Sequence, residues 1–321
     1  QDNEILLKTD NSSPILIYII EPELWLQKDM SQRQWEFIWE SLKSLKIDLA
    51  ENNLHLNILF GDTSEIFKKL YQKYSFTKVI SEQETGIHWT FERDKKLKSL
   101  FKDLKVNWVE YPYFGVKRGS HNRDHWAGSI QQILKKPLIN KEKYINQSEI
   151  LEFEDYEIPI NFYDKTPCPF RQKGGCHQAH DLLKTFLESR GENYQREMSS
   201  PITAEHSCSR LSPHFANGTL SLRQAFQLAE KKRFDVQSTN KVFAKSINAF
   251  LSRLYWRSHF IQKLEDEPSI ELKSFIPLYD DIRDQDEEKL RLWIKGETGI
   301  PFIDACMIYL RNHGWINFRM R

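Results

Sequence analysis

Serine hydroxyls and an arginine cluster in the segment HSCSRLSP, residues 206–213, whose final proline is at a helix start. Hydroxyls, free backbone N–H groups and the helix dipole at such a position suit a phosphate or pyrophosphate. Serine-rich helix starts are also common without any ligand. The segment is therefore a candidate anion site that needs support from elsewhere in the chain.

A second candidate is the segment FLSRLYWRSHF, residues 250–260. It places Arg253 and Arg257 four residues apart on one helix face, with Trp256 beside them. Two cations and an aromatic face could hold an anionic, stackable ligand such as a flavin dinucleotide or an extruded base. A core tryptophan with solvated arginines gives the same pattern, and the pattern alone does not separate the two.

The third candidate lies at the end of the chain, where Trp293 and Trp315 flank a helix pattern that begins at Pro301. The final residues, NHGWINFRMR, indicate a helix that stops near Gly314 and another that begins at 317–321. The chain also begins with Gln1 almost directly before a strand-like run, so we expect a fragment at both ends. The histidines show no metal-ligand spacing, and we predict no metal site.

The first third predicts alternating strands and helices. Short apolar runs predict buried parallel strands at Pro14–Ile20, Leu54–Asp62, Thr77–Glu82 and Val106–Tyr111. Helical periodicity follows Ser31, Asp62 and Thr90, with Asp62 or Thr63 as an N-cap. This alternation predicts a doubly wound parallel sheet, although the usual glycine-rich nucleotide motifs are missing.

The second half predicts helices only. Amphipathic patterns indicate helices at Ala179–Gly191, after Ser212, after Thr219 or Ser221, and from about residue 240 to Pro268. We predict an α/β domain at residues 1–132, an inter-domain connector at 133–175 and an all-α domain at 176–321, the latter incomplete.

Bulk composition limits the function classes. The net charge of +1 gives no global signal for a polyanion partner, so a nucleic-acid surface would have to be a local patch. No apolar run reaches the ~18 residues that a membrane span needs. The four cysteines are scattered without C-x-x-C spacing, which favours a reducing, cytoplasmic location. We also expect a monomer.

Three helical motifs in order resemble the photolyase/cryptochrome family of flavoproteins: SRLSPHFANGTLSLR, FLSRLYWRSHF and WIKGETGIPFIDACMIYLRNHGW. The segments PYFGVKRGSHNRDHW and QDN also look like family segments, and the resemblance covers nearly the whole chain. It implies an α/β antenna domain, a long connector and a helical domain that holds FAD. It also implies a second, antenna chromophore, whose identity the residues do not reveal.

The resemblance assigns roles residue by residue. The residues that would hold the FAD phosphates are Cys208, Ser209, Arg210, Leu211 and Ser212. Those that match flavin-facing positions are Tyr194, Phe250, Arg257 and Arg321. Trp256 matches the tryptophan that packs against a pyrimidine dimer, and Arg319 matches an arginine near DNA.

Two lesion-contacting positions depart from the family pattern. Arg253 stands where dimer photolyases usually carry Glu, and Phe318 stands where they usually carry Asn or, in the (6-4) type, His. Arg283 falls near the position where some members place the last tryptophan of the electron-transfer chain. A lesion site without those hydrogen bonds would bind its substrate less selectively.

The resemblance implies light-driven cleavage of pyrimidine dimers flipped out of DNA, with FAD as the electron donor. The alternatives are a cryptochrome-type blue-light photoreceptor without repair and a binding protein without flavin. Residues 1–321 alone are expected to bind FAD poorly, because part of the pocket would lie beyond Arg321.

Overall fold

A computed structural model describes residues 2–8, 14–112, 115–119, 126–139, 147–152 and 159–321. Four strands lie in its first third: β1 Leu16–Ile20, β2 Leu56–Phe60, β3 Lys78–Glu82 and β4 Asn107–Tyr111. Each falls within a predicted strand, so the strand predictions are confirmed. The segments 113–114 and 120–125, which the family-like stretch PYFGVKRGSHNRDHW includes, lie outside the described residues.

The strands form two parallel ladders within the described residues. Strand β1 pairs with β2 from Leu16↔Leu56 to Ile20↔Phe60, and β3 pairs with β4 from Lys78↔Asn107 to Glu82↔Tyr111. Parallel neighbours need a crossover, and helices supply it here. The helices of this region are α1 Pro22–Trp25, α2 Gln32–Ala50, α3 Thr63–Tyr74, α4 His88–Asp103 and α5 Trp126–Lys135. The predicted α/β class is thereby confirmed.

Residue contacts divide the chain into two compact units. The first unit contains residues 1–31, 42–164 and 257–271, and the second contains 32–41, 165–256 and 272–321. The predicted domain boundaries at 132 and 175 stay predictions.

The first unit has an aromatic-rich core between α3, α4 and the strands. Its buried members are Leu59, Ile66, Phe67, Leu70, Leu97, Phe101 and Val106. The ring of Phe101 packs edge-on against Phe67 at 4.9 Å and against Trp108 at 5.5 Å. Asp62 caps α3 by accepting a hydrogen bond from the N–H of Glu65 at 2.9 Å. Of the two predicted candidates, Asp62 and Thr63, the N-cap is therefore Asp62.

One polar side chain fixes part of the predicted connector within the first unit. The amide of Asn57 donates to the carbonyls of Leu16 and Glu149 at 3.0 and 3.2 Å, and its oxygen accepts from the N–H of Leu151 at 2.9 Å. The connector residues 140–146 and 153–158 lie outside the described residues.

The second half is helical, as predicted. Its helices are α6 Cys176–Thr185, α7 Tyr194–Glu197, α8 Ala204–Ser207, α9 Ser212–Ala216, α10 Leu222–Val236, α11 Lys241–Asp266, α12 Glu287–Lys295 and α13 Pro301–His313. Ser221 caps α10 by accepting from the N–H of Gln224 at 3.2 Å. Ser212, predicted as an N-cap, is the first residue of α9 and makes no capping bond. The last residues form one turn, in which the N–H of Arg321 bonds the carbonyl of Asn317.

Residues 171–175 lie tightly against the first turns of α2 within the second unit. Arg171 bonds Glu36 at 2.6 Å and Glu40 at 2.7 Å. The N–H of Gly174 donates to Glu40 at 2.8 Å, and a Cβ at Gly174 would lie 2.0 Å from the carbonyl oxygen of Phe37. Only glycine fits at this distance.

We therefore expect Gly174→Ala to lower the free energy of unfolding by about 3 kcal/mol, because the methyl group cannot be placed without moving the backbone. Urea unfolding with a common m-value measures the change. Gly128→Ala in α5 is the control, since a Cβ there meets nothing within 4 Å, and alanine in a helix should stabilise by up to ~1 kcal/mol. Equal midpoints for the two variants would contradict the packing argument.

Candidate functional site

The turn at residues 206–212 is held through its carbonyl groups. Nη1 of Arg190 donates to the carbonyls of His206 at 2.6 Å and Cys208 at 2.9 Å. Nε2 of Gln172 donates to the carbonyl of Arg210 at 2.7 Å. Three carbonyl dipoles of the turn are therefore already paired within the second unit. Its donors remain for another partner.

The N–H groups of residues 209–211 and the nearby serine hydroxyls are the donors that suit an anion. Arg210 adopts a left-handed conformation, with φ 62°, which turns the chain sharply between Ser209 and Leu211. Within the described part of the chain, no protein acceptor takes the N–H groups of these three residues or the hydroxyls of Ser209 and Ser212. Buried N–H groups need an acceptor, and Arg210 and Leu211 are both buried. A phosphate would supply one.

The helix dipole contributes less here than the sequence suggested. Helix α9 has only five residues, so its summed dipole is small, and the turn donors carry the argument for an anion instead. The guanidinium groups of Arg190 and Arg210 lie close enough to each other beside the turn to interact. Burial lowers the pKa of Arg190, and the neighbouring Arg210 lowers it further. The phosphate-binding role of the turn stays a prediction that this geometry fits.

The side chain of Arg210 is itself engaged. Its guanidinium lies 4.2 Å over the ring of Trp315 and pairs with Glu205 at 3.3 Å. Its Nε contacts the side-chain oxygen of Gln172 at 3.3 Å. The main chain of Arg210, not its charge, is therefore the part that the turn offers to a ligand. Arg190 and Gln172 were missed by the sequence analysis, because nothing in their local pattern marks them as supports of a distant turn.

An aromatic cluster lies close to the turn. Phe186 packs against Phe250 at 4.8 Å and edge-on against Tyr194 at 5.6 Å. Burial raises the pKa of Tyr194 to about 12, with Cys208 adding to the rise and Arg253 opposing it. Tyr194 therefore lies near Phe250, Cys208 and Arg253, and the roles predicted for these residues stay predictions.

The thiol of Cys208 is neutral at physiological pH. Burial raises its pKa to about 11, although Arg210 and Arg190 both favour the thiolate. A neutral thiol donates only weak hydrogen bonds. Cys208 therefore contributes packing at the turn rather than a reactive nucleophile.

Arg253 does not lie solvated beside the tryptophan. Its guanidinium carbon is 3.9 Å from the centre of the Trp256 ring, so the cation covers one face of the indole. Trp256 remains 44% exposed. The alternative from the sequence was a core tryptophan beside solvated arginines. It does not describe this pair, because Trp256 is exposed and the guanidinium of Arg253 lies against its ring.

The remaining predicted residues are not brought to this cluster by any described contact. Arg257 belongs to the first unit, where it lowers the pKa of Glu82 while burial, the larger effect, raises it. Phe318 is 76% exposed, and Arg319 and Arg321 are exposed as well. Their predicted roles toward flavin, lesion and DNA stay predictions.

Asn317 anchors the terminal turn and was not among the predicted site residues. It is buried, its amide donates to the carbonyl of Ser200 at 2.8 Å, and its oxygen accepts from the N–H of Met320 at 2.9 Å. The side chain thereby holds the turn that carries Phe318 and Arg319.

His214 lies fully buried in α9, directly after the turn. Nδ1 is in hydrogen-bond contact with Oγ1 of Thr219 at 2.8 Å, and Nε2 has no partner among the described residues. Burial lowers its pKa from 6.5 to about 4. The folded protein therefore keeps this imidazole neutral where an unfolded chain would protonate it.

We expect the free energy of unfolding to fall by about 2–3 kcal/mol from this group as the pH decreases from 6.5 to 4. The contribution is fully present above pH 6.5, because neither state is then protonated. Chemical unfolding across this range measures the slope. His214→Asn should flatten it and His177→Asn, at an exposed position, should not; identical slopes in all three proteins would rule out His214 as the titrating group.

A second cluster of charge lies at the carboxyl ends of strands in the first unit, where open α/β sheets bind ligands. Arg93 pairs there with Glu21 at 2.8 Å, with Asp94 at 2.9 Å and with Glu84 at 3.4 Å. The carboxylates outnumber the cation, which does not suit a phosphate-bearing chromophore.

In the described parts of the chain, no group of three or more His, Cys, Asp or Glu side chains is placed to hold a metal ion. None of the described helices is both long and apolar enough to span a bilayer.

Two family models match the ends of the chain. One, described as DNA photolyase, matches residues 1–112. The other, described as the FAD binding domain of DNA photolyase, matches residues 250–321. The second range includes Phe250, Arg253 and Trp256.

Two curated relatives have similar levels of identity. Cryptochrome-2 of Gallus gallus is 24% identical over 335 residues, covering 95% of this chain and 56% of the relative. Deoxyribodipyrimidine photo-lyase of Escherichia coli K12 is 24% identical over 337 residues, covering 98% of this chain and 68% of the relative. The chain thus spans little more than half the length of the cryptochrome.

A solved cryptochrome of Synechocystis sp. PCC6803 has the same fold. The two align with a TM-score of 0.83 at 18% sequence identity, over 100% of this chain and 70% of the other. At this identity the likeness concerns the fold.

Proposed function

On the premise that this chain belongs to the photolyase/cryptochrome family, we propose that it is part of an FAD-dependent, light-driven deoxyribodipyrimidine photolyase. The substrate is a pyrimidine dimer in DNA, and the reaction class is carbon–carbon bond cleavage. FAD, when bound, supplies light-driven electron transfer to the lesion. Every other contribution comes from the side chains and backbone of the protein.

The observation that carries the proposal is the turn whose carbonyls are tied to Arg190 and Gln172 while its donors are free. The N–H groups of Ser209, Arg210 and Leu211, with the hydroxyls of Ser209 and Ser212, would bind the FAD phosphates. Phe250 and the buried Tyr194 would keep water from the flavin. This arrangement supports FAD binding and does not by itself choose a substrate.

The DNA part of the proposal rests on the family and on the residues at the end of the chain. Arg319 would bind a phosphate of the DNA backbone, and Trp256 would pack against the extruded dimer. Photolyase relatives act on DNA, which supports this choice of partner. The cytoplasmic location, the monomeric state and the second, antenna chromophore also remain part of the proposal.

The test is repair of a defined oligonucleotide that contains one cyclobutane pyrimidine dimer. The full-length protein is reduced and illuminated with blue light, and the restored sequence is quantified against a dark sample. We expect light-dependent restoration that is lost on removal of flavin. Equal dimer levels in the light and dark samples would reject the repair function.

A cryptochrome-type photoreceptor is the second candidate, and Arg253 favours it. The guanidinium covers a face of Trp256 at 3.9 Å, and that ring is the one proposed to pack against the dimer. A photoreceptor needs no lesion contact. It predicts flavin photoreduction without repair, together with a partner that binds only in the light.

A further inference from the structure

A small basic pocket lies in the second unit, apart from the proposed phosphate turn. It has a volume of about 200 Å³ and is lined by Gln195, Arg196, Lys241, Val242, Lys245 and Ser246. These residues come from α7 and from the first two turns of α11. Three of the six side chains are cationic and none is acidic.

The pocket walls are fixed by hydrogen bonds. Ser246 Oγ donates to the carbonyl of Glu192 at 2.7 Å and accepts from the N–H of Gln195 at 3.2 Å, which ties α7 to α11. The carboxylate of Glu192 accepts from the amide of Asn240 at 2.8 Å. Glu197, which directly follows Arg196, accepts a hydrogen bond from the hydroxyl of Ser207, so both acids nearest to the pocket in sequence are already engaged.

The next feature is the state of the three cations that line the pocket. In the part of the chain that the structure describes, Arg196, Lys241 and Lys245 are exposed and form no ion pair with a carboxylate. Lys241 and Lys245 are also four residues apart at the start of a 26-residue helix, where like charges repel and the helix dipole disfavours cations. This arrangement is slightly unfavourable, and an anion in the pocket would offset it.

We propose that this basic pocket binds a phosphate group. Sites for whole small-molecule ligands typically measure about 300–1,000 Å³, so a pocket of this size suits one phosphate rather than an entire dinucleotide. The phosphate could come from a polynucleotide backbone or from free inorganic phosphate. The inference requires neither FAD nor light, so it goes beyond the proposed function.

The experiment compares two double variants with equal loss of charge. Lys241→Gln/Lys245→Gln removes both pocket lysines, and Lys184→Gln/Lys231→Gln removes two exposed lysines of α6 and α10. In the first arm, the Tm is followed against inorganic phosphate with ionic strength held constant by chloride. In the second arm, fluorescence anisotropy measures binding to lesion-free double-stranded DNA over a range of salt concentrations.

We expect the Tm of the wild-type protein and of the control variant to rise with phosphate, and that of the pocket variant to stay flat. If the source is DNA, the pocket variant should also bind at least about tenfold more weakly, and its log–log salt slope should be smaller by about 0.9 for each DNA phosphate that it no longer neutralises. An effect in the phosphate arm alone would assign a free phosphate, and an effect in the DNA arm alone would assign the backbone.

Equal behaviour of the two variants in both arms would overturn the proposal, because only the overall charge would then matter. The pocket variant should fold at least as well as the wild type without phosphate, since it removes repulsion. The flavin content of each protein is measured in parallel. A change in flavin content with unchanged phosphate and DNA responses would likewise count against the pocket.

Discussion

Replacing Ser209 by Asp is expected to weaken FAD binding by at least about 100-fold, which corresponds to about 3 kcal/mol. The new carboxylate would lie beside the N–H groups of the turn, where it would accept their hydrogen bonds and repel the phosphates. Two unit charges 4 Å apart repel by about 4 kcal/mol at the effective dielectric constant of a partly buried site. Reconstitution of flavin-free protein with FAD, followed by flavin absorbance and fluorescence, measures the affinity.

Two further variants test whether the loss of FAD affinity comes from a negative charge at the turn. Ser209→Ala removes one hydroxyl and should weaken binding only about tenfold, the usual size for a hydrogen bond to a charged group. Ser238→Asp places the same charge at an exposed turn after α10 and should leave the affinity unchanged. If Ser209→Asp bound FAD as the wild type does, the turn at residues 206–212 would not be the phosphate site.

The second large effect concerns Arg253. We expect Arg253→Glu to raise the preference for dimer-containing DNA over undamaged DNA by about 10- to 100-fold. The guanidinium that lies 3.9 Å over Trp256 would leave the ring, and stacking of a base on an aromatic ring is worth about 1–3 kcal/mol. The carboxylate would also provide a hydrogen-bond acceptor. Competition binding with matched damaged and undamaged oligonucleotides measures the preference.

Arg253→Gln is the matched control for charge. It uncovers Trp256 without adding a carboxylate, so we expect an intermediate preference. The pKa of Tyr194 offers an independent readout, because Arg253 now opposes the rise that burial causes. Loss of Arg253 should therefore raise this pKa further. A wild-type protein that already prefers dimers strongly, and loses that preference in Arg253→Glu, would show that the arginine itself recognises the lesion.

Local patterns predicted most of the elements because each helix or strand buries one face of its own. The four strands and the helices α3, α10, α11 and α13 were predicted from such local patterns. Helix α12, Glu287–Lys295, was not predicted, although its signals were present. Asp286 caps it by accepting from the N–H of Lys289 at 2.9 Å, and Gly296 ends it in the left-handed conformation.

Prediction was weaker where a residue acts on a distant segment. No role was assigned to Gly174 from the sequence, whereas the structure shows a contact so close to Phe37 that no side chain fits. The sequence showed only that the histidines lack metal-ligand spacing, and the lowered pKa of His214 follows from its burial in the folded protein. Such effects depend on which surfaces meet, and spacing along the chain does not contain that information.

The order of the elements and the motifs HSCSRLSP and FLSRLYWRSHF follow from residues that are neighbours along the chain, so they can be recognised before folding is considered. Which groups of those motifs are available to a ligand depends on tertiary packing. Arg190 and Gln172, 16 to 38 residues from the carbonyls they bond, leave the turn with free donors. Arg253 covers Trp256 instead of pointing into solvent. Both outcomes depend on contacts that form only when distant elements pack, which is why the residue types alone left them open.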